Sequence, residues 1–273
     1  MVWPLPDQIA TELGWEVGAD GVAWLTLNRP AAGNAITGDQ RETLIALLGE
    51  ASADQDIRVV VLTAAGQRHF CTGADLSGSP GGSAGAPPGS VARAVANGSQ
   101  RLISAVLDCE KPVIAAVNGT AAGIGCHLAF ACDLVLAAES VKFVEVFVRR
   151  GLVVDGAGAY LLTRLVGPQR AKELIFFGDD LPAADALRLG LVNRVVADGK
   201  VAETAADWAA RLAAGPTVAL SLGKRLVNRA LDGDRATSFA EEAMAAELNM
   251  TSADGQEGLR AFAERRPPVF RGR

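Results

Sequence analysis

The spacing of apolar residues changes character once along the chain. Over the first two-thirds, short apolar runs alternate with longer segments that have a helical repeat. The run Arg58–Ala64 is almost continuously apolar, which is typical of a buried strand. Leu44, Leu47 and Leu48 instead fall on one side of a helix. Later in the chain only the helical period remains, so the pattern predicts an α/β core followed by a purely helical C-terminal piece.

Turn and capping residues predict where individual elements begin and end. Trp15–Val17 and Val22–Leu27 flank a Gly-Ala-Asp-Gly turn, which is typical of a β-hairpin. Thr37-Gly-Asp-Gln40 fits a capping box that opens a helix. Ser77–Ser90 is rich in Gly, Ser, Pro and Ala and is either an active-site lid or a plain surface insertion. The other predicted strands are 134–138, 141–144 and 191–196, and the other predicted helices are 91–108, 156–166, 168–177, 181–189, 201–214, 216–230, 235–250 and 254–265.

Composition bounds the class of protein and its compartment. The chain has 273 residues, of which 49% are hydrophobic and 21% charged, so it can bury a large core. Its net charge of −5 argues against a nucleic-acid partner. No apolar run reaches transmembrane length, and no cationic region followed by an apolar one stands at the N-terminus. We therefore expect a cytoplasmic protein without a membrane partner.

Metal and redox chemistry find little support in the sequence. The cysteines are Cys71, Cys109, Cys126 and Cys132, and the histidines are His69 and His127. The cysteines form no Cys-x-x-Cys pair, and their neighbours are mostly apolar. We expect buried, reduced thiols and no metal site.

A glycine-rich turn is the strongest chemical signal in the chain. The apolar run that begins at Pro112 enters the turn Gly119-Thr-Ala-Ala-Gly-Ile-Gly125, which opens into an apolar helix. Free backbone N–H groups at a helix N-terminus favour developing negative charge. A second turn, at Gly73, follows the Val59–Ala64 strand and directs the N–H of Ala74 toward a possible cleft. Two such donors can form an oxyanion hole.

Together these segments resemble the crotonase superfamily, also called the enoyl-CoA hydratase/isomerase superfamily. The similar segments occur in the family's order and span nearly the whole chain; they are Leu25–Ala35, Phe70–Leu76, Ala116–Cys126, Ala131–Val153 and the tail Arg265–Phe270. The resemblance implies a spiral of ββα units over residues 1–200 and a helical trimerisation region over residues 201–273. It also implies an acyl-CoA thioester substrate, no separate cofactor, and a homo-trimer or hexamer.

The resemblance further assigns site residues by position. The oxyanion donors would be the backbone N–H groups of Ala74 and Ile124. The residues that match the family's coenzyme A contacts are Arg29, Ala31, Ala32, Ala74, Asp75, Leu76 and Phe270. Phe270 would close over the coenzyme from its own subunit or a neighbouring one.

Two departures from the family pattern bear on the reaction. Hydratases of this family use two glutamates, and this chain has His127 and Phe147 at the corresponding positions. Asp155 stands where isomerase-type members carry an acidic residue, so the resemblance predicts an isomerase with Asp155 as acid and base. Apolar surroundings would raise the pKa of this carboxyl. The other interpretation of Asp155 is a helix N-cap.

Several alternatives stay open at this point. His127 is either a pocket residue that acts with Asp155 in a hydratase or a hydrogen-bonded core histidine. Glu145 is a second candidate carboxylate. A non-catalytic acyl-CoA-binding protein of the same fold would also tolerate the missing glutamates. A nicotinamide-dependent oxidoreductase is disfavoured, because Leu128 occupies the third glycine position of the dinucleotide fingerprint.

Overall fold

Ten strands in two sheets frame the part of the chain that the computed structural model describes, residues 11–77 and 87–273. Most of the predicted lid, residues 78–86, lies outside the described residues. The strands are β1 (Leu13–Val17), β2 (Val22–Leu27), β3 (Val59–Ala64), β4 (His69–Cys71), β5 (Val113–Val117), β6 (Thr120–Ala122), β7 (Leu134–Ala138), β8 (Lys142–Val144), β9 (Asp180–Pro182) and β10 (Arg194–Val196).

The larger sheet forms the centre of the core. Its strand order is β1-β2-β3-β5-β7-β10, with an antiparallel β1–β2 hairpin and parallel pairing elsewhere. Every residue of β5 is buried, as are five of the six in β3. Strands covered on both faces need continuous apolar sequence, which is why the apolar runs predicted them. The predicted α/β class and the hairpin are confirmed.

The smaller sheet is built from strands of three residues each. Its order is β4-β6-β8-β9, with β9 antiparallel to β8 and the other pairs parallel. The sequence indicates only β8 of these four strands. The pattern predicts residues 120–122 as part of the glycine turn and 181–182 as the start of a helix, and the structure has strands there. A three-residue strand is too short to show an alternating pattern, so local sequence could not distinguish it from a turn.

Helices cover both sheets and form the C-terminal part of the chain. They are α1 (Gly38–Ala53), α2 (Ser90–Ala94), α3 (Gln100–Asp108), α4 (Ile124–Phe130), α5 (Gly158–Phe177), α6 (Ala183–Arg188), α7 (Val201–Ala213), α8 (Thr217–Ala230), α9 (Arg235–Thr251) and α10 (Ala253–Glu264). The predicted capping box of α1 is present, with Thr37 and Gln40 bonded reciprocally. A non-helical Gly167 before Pro168 divides α5, in agreement with the two helices predicted there.

The helices after residue 200 differ in how they contact the core. α7 packs on the larger sheet and buries Val201, Ala205, Ala209 and Ala213. α8, α9 and α10 pack on one another in sequence. In the described part of the chain, no helix combines the length and apolar character needed to cross a bilayer.

A largely buried ion pair joins α8 to the sheet. The Lys224 ammonium lies 2.9 Å from an Asp133 carboxylate oxygen. It also donates to the carbonyls of Val106 and Lys111, at 3.0 and 3.2 Å. The same Asp133 oxygen accepts a hydrogen bond from the N–H of Val113 at the start of β5, 2.7 Å away. Burial raises the pKa of the Asp133 carboxyl, and the Lys224 charge opposes that rise.

We expect Lys224→Met to destabilise the fold, because it leaves the Asp133 carboxylate without its counter-ion and removes the Lys224 donor from two carbonyls. The expected loss is roughly 2–4 kcal/mol of unfolding free energy. Urea unfolding followed by circular dichroism measures it. Lys200→Met, which removes an exposed pair with Glu203, is the control and should cost less than about 1 kcal/mol. Equal losses in the two variants would contradict a structural role for the buried pair.

Candidate active site

The first backbone donor lies in the turn after β4. Gly73 has φ of +109°, a conformation that glycine adopts without strain. The segment is fixed from the chain before α1: the N–H of Ile36 donates to the Gly73 carbonyl, and the N–H of Asp75 donates to the Ile36 carbonyl, both at 2.9 Å. Ala74 lies between these two bonds, and its own N–H takes part in neither of them.

The second donor lies at the start of α4. Gly123 has positive φ and donates its N–H to the carbonyl of Val144 in β8, 2.9 Å away. A Cβ on Gly125 would overlap the Cys71 carbonyl oxygen, so α4 rests directly on the backbone of β4. This close approach requires glycine at position 125.

Close packing places the two turns side by side. A Cβ built on Gly73 would lie 3.9 Å from the backbone nitrogen of Ile124. Within residues 11–77 and 87–273, the N–H groups of Ala74 and Ile124 donate to no protein acceptor. Ile124 is buried, and buried backbone N–H groups are rarely left unpaired. Two adjacent free donors can bind one oxygen and stabilise negative charge on it.

Asp155 lies in the loop before α5, next to the second donor. A Cβ on the neighbouring Gly156 would lie 3.1 Å from the Cδ1 of Ile124, so this loop packs against that side chain. The Asp155 carboxyl is half-buried and, among the described residues, has no hydrogen-bond donor. Burial raises its pKa, and the nearby His127 charge partly opposes that rise.

The alternative interpretation of Asp155 as a helix cap is wrong. Ala157, with φ of +66°, occupies the N-cap position of α5, and no side chain caps that helix. Asp155 contributes its backbone carbonyl, which accepts the N–H of Gly158 at 3.1 Å. Its carboxyl is therefore not occupied by a capping bond.

His127 is buried and lies behind an aromatic side chain. Its ring is fully inaccessible and stacks on Phe147, with centroids 5.6 Å apart and planes 4° from parallel. A Cβ on Gly123 would lie 3.6 Å from the Phe147 ring, so Phe147 contacts both His127 and the donor turn. The structure thus places His127 near the site without exposing it there.

Glu145 is the partner of His127. The His127 Nε2 and a Glu145 carboxylate oxygen are 3.1 Å apart, and the glutamate side chain is only 5% exposed. The His127 Nδ1 and the other Glu145 oxygen are buried without a partner in the described structure. Sequence inspection had marked both residues as candidates, but it gave no reason to pair them.

The segments that resemble coenzyme A contacts are joined to each other. Arg29 donates to an Asp75 carboxylate oxygen at 2.8 Å and to the Ala35 carbonyl at 2.9 Å. Hydrogen bonds from Ser77, and then the Arg29 bond, lower the pKa of Asp75 to about 2. Asp75 is therefore charged at neutral pH and holds the Arg29 guanidinium in place.

The other residues predicted to contact coenzyme A lie in two separate places. Ala31, Ala32, Ala74 and Leu76 are exposed close to this ion pair in sequence. Phe270 instead packs near Gly258 of α10. Gly272, two residues further along the tail, lies against the Arg58 side chain, which precedes β3 and so stands at the opposite end of that strand from the Gly73 turn. A single chain therefore does not bring Phe270 to the other residues.

Asn34 is a site-forming residue that sequence inspection did not single out. It is 2% exposed and has φ of +52°. Its amide donates to the carbonyls of Ala65 and His69, at 3.1 and 2.7 Å, while its oxygen accepts the N–H of Arg29 at 2.8 Å. Asparagine is among the residues that tolerate positive φ, so the Gly-Asn dipeptide was the available signal.

Comparison with known proteins places this geometry in a family. The sequence model of the enoyl-CoA hydratase/isomerase family matches residues 18–273. The chain belongs to the enoyl-CoA hydratase/isomerase family. It is 38% identical to the "Probable enoyl-CoA hydratase" of Rhodobacter capsulatus over 256 residues, covering 93% of this chain and 96% of the relative.

Other relatives within the family differ in the reaction they are named for. The 1,2-epoxyphenylacetyl-CoA isomerase of Escherichia coli is 38% identical over 253 residues, covering 93% of this chain and 96% of that protein. The crystal structure of an enoyl-CoA hydratase from Bacillus anthracis superposes with a TM-score of 0.86 at 33% identity, covering 96% of this chain and all of the other. The crotonase-like fold is therefore confirmed, and the family acts on acyl-CoA thioesters.

We expect Gly158→Ala to destabilise the protein, because the new Cβ would overlap the His127 ring. The expected cost is about 1–3 kcal/mol of unfolding free energy, as for other overpacked cores. Thermal unfolding measures it. Gly223→Ala in α8 has open space around the added methyl and should be neutral or slightly stabilising. An unchanged Tm for Gly158→Ala would show that His127 moves freely, contrary to its close packing.

Proposed function

We propose that this protein is an enoyl-CoA isomerase in which Asp155 is the acid and base. The observation that carries the proposal is the half-buried Asp155 carboxyl, which accepts no hydrogen bond from the described residues and lies on a loop packed against the Ile124 side chain. The Ile124 N–H is one of two free and adjacent backbone donors. A carboxylate beside an oxyanion site is the minimum equipment for moving a proton along an enoyl thioester.

In the proposed reaction, the Asp155 carboxylate removes a proton from the α-carbon of a 3-enoyl thioester. The electron pair moves into the thioester, and the N–H groups of Ala74 and Ile124 stabilise the resulting enolate oxygen. Protonated Asp155 then returns the proton to the γ-carbon, which yields the 2-enoyl thioester. The carboxylate is regenerated, so no further reactant is consumed.

Isomerisation fits the available groups better than hydration does. Hydration needs one group to activate water and another to protonate the α-carbon. Phe147 cannot transfer protons, and the ring of His127 is covered by Phe147. A hydratase that uses His127 with Asp155 is the second candidate, because the His127 charge does act on Asp155. A non-catalytic acyl-CoA-binding protein is the third.

We further propose that the CoA moiety lies along the Arg29–Asp75 pair. The residues proposed to contact it are Arg29, Ala31, Ala32, Ala74, Asp75 and Leu76, with Phe270 supplied by a neighbouring subunit. The Arg29 guanidinium is fixed by the Asp75 carboxylate at 2.8 Å and lies 3.6 Å from Glu12, which orients these side chains along the exposed surface that the CoA moiety would follow. No separate cofactor takes part in the proposed reaction.

We expect Asp155→Asn to abolish isomerisation, because the amide cannot accept the α-proton. Turnover of 3-enoyl-CoA should fall by about 100-fold or more, while CoA-ester binding measured by calorimetry persists. Hydration of 2-enoyl-CoA is measured in parallel. Hydration that survives the substitution would favour chemistry at His127 or Glu145. Binding without turnover of any ester by the wild type would favour the non-catalytic alternative.

The pH dependence of isomerisation should follow the raised pKa of Asp155. The carboxyl must be deprotonated to act as a base, so turnover rises as pH increases through this pKa and is lost below it. We therefore expect the midpoint of the acidic limb to lie above the usual pKa range of aspartate. It is measured as kcat between about pH 4 and pH 8. A limb at or below the ordinary aspartate pKa would contradict burial of the base.

We propose a homo-trimer or hexamer in solution, with the C-terminal helices at the interface. These helices expose Phe239, Met244, Leu248 and Phe262, and Phe262 is 85% accessible in a single chain. Large exposed apolar residues in neighbouring positions are typical of association surfaces. Light scattering should give the mass of three or six chains at micromolar concentration. A monomeric mass would contradict the proposal.

A further inference from the structure

The buried pair of His127 and Glu145 has no part in the proton shuttle proposed above. Both side chains are almost completely removed from solvent, and their one mutual contact is 3.1 Å long. Each keeps a second polar atom that is buried without a partner in the described structure. Such a pair is costly to bury in an apolar core, and hydrophobic residues of similar size would often stabilise the fold as well. Its presence beside the site calls for a functional reason.

His127 is fixed on three sides, and each contact leads to part of the site. Glu145 bonds its Nε2, and Phe147 stacks on its ring face and borders the Gly123 turn. The backbone at Gly158 closes the third side, where no Cβ fits. The N–H of Gly158 in turn donates to the Asp155 carbonyl. The imidazole thus links the oxyanion turn to the loop of the proposed base.

The charge of the imidazole also acts on Asp155. His127 lowers the pKa of the Asp155 carboxyl against the larger effect of burial. The other titratable groups around His127 in the described chain are Glu145, the Cys126 thiol of its own helix and the Cys71 thiol of β4. Burial raises the pKa of both thiols, that of Cys71 to about 12, so they are neutral. Among these groups, Glu145 is the one that contacts a ring nitrogen of His127.

We infer that Glu145 is a positioning residue for the reaction, which acts on Asp155 through His127. It holds the imidazole against Phe147 and Gly158 through the 3.1 Å contact between its carboxylate oxygen and Nε2. This inference rests on the proposed function, since it takes Asp155 to be the base. Glu145 itself does not touch the substrate.

The sign of one pH shift separates this inference from its alternatives. If Glu145 acts through His127, Glu145→Gln weakens the positive charge beside Asp155 and moves the acidic limb of kcat to higher pH. If Glu145 acts directly on Asp155, removal of a negative charge moves the limb to lower pH. If Glu145 is only structural, the limb stays in place while Tm falls.

We expect Glu145→Gln to lower kcat about tenfold, with KM changed less than about twofold, as for loss of an interaction made in the transition state. The acidic limb should move up by about half a unit or more, and His127→Gln should move it in the same direction. The double variant should add little to either single one, because the two residues form one unit. A downward shift, an unchanged limb or additive effects would overturn the inference.

Asp133→Asn is the matched control. It disrupts the buried pair with Lys224 at the start of β5, the end of that strand far from the glycine turn. It should lower Tm without moving the acidic limb. A shift of the limb in this control as well would show that the kinetic readout follows stability and not the His127 charge.

A second readout does not depend on turnover. The carboxyl carbon of Asp155 can be titrated by NMR and assigned with Asp155→Asn, and its pKa should rise in Glu145→Gln and in His127→Gln. The chain has only two histidines, so ring-nitrogen signals of His127 can be followed against His69. A wild type that fails to isomerise while Asp155 titrates as expected would refute the proposed function alone. An Asp155 pKa that is unchanged by both substitutions would refute the inference alone.

Discussion

The site depends on backbone-to-backbone contact between the two glycine turns. α4 rests on β4 at Gly125, where a Cβ would overlap the Cys71 carbonyl oxygen. Gly119 makes a comparably close approach to the backbone of Arg68 and His69. Side chains at these positions would separate the smaller sheet from the helix start. The free N–H groups of Ala74 and Ile124 are adjacent because nothing larger than glycine stands between their segments.

Close packing also fixes the loop that carries Asp155. Gly156 packs against Ile124, and Gly158 packs against His127. Asp155 is therefore carried on a loop that cannot move away from α4 without opening tightly packed contacts. Because the loop is partly buried, charges near Asp155 are less screened than on the surface. The His127 charge lowers the pKa of the Asp155 carboxyl for this reason, against the larger effect of burial.

Members of the enoyl-CoA hydratase/isomerase family share a thioester substrate, and their names divide between hydratases and isomerases. The division is physically reasonable, since enolate stabilisation by backbone donors serves both reactions. The side chains around the donors then decide how protons and water are handled. In this chain the Asp155 loop borders the turn that carries the Ile124 N–H. The Phe147 ring stacks on His127, and the His127–Glu145 pair is buried.

The sequence by itself determined the elements with a strong local signature. These were the buried parallel strands, the capping box at Thr37, the helical C-terminal part and the order of the family's motifs. It also placed Asp155 at the acidic position of isomerase-type relatives by resemblance, and the role of this carboxyl stays a prediction. The short strands of the smaller sheet were missed, since three residues carry no readable period.

Only the tertiary structure decided how the side chains are paired and covered. It joined His127 to Glu145 across 18 residues of chain, and it assigned the cap of α5 to Ala157. It also placed Phe270 at the far end of β3 from Arg29 within one chain. The periodicity of a sequence indicates which residues are buried, because buried positions recur with the spacing of a helix or a strand. Partners, distances and electrostatic environment depend on how distant segments pack, and no local pattern encodes them.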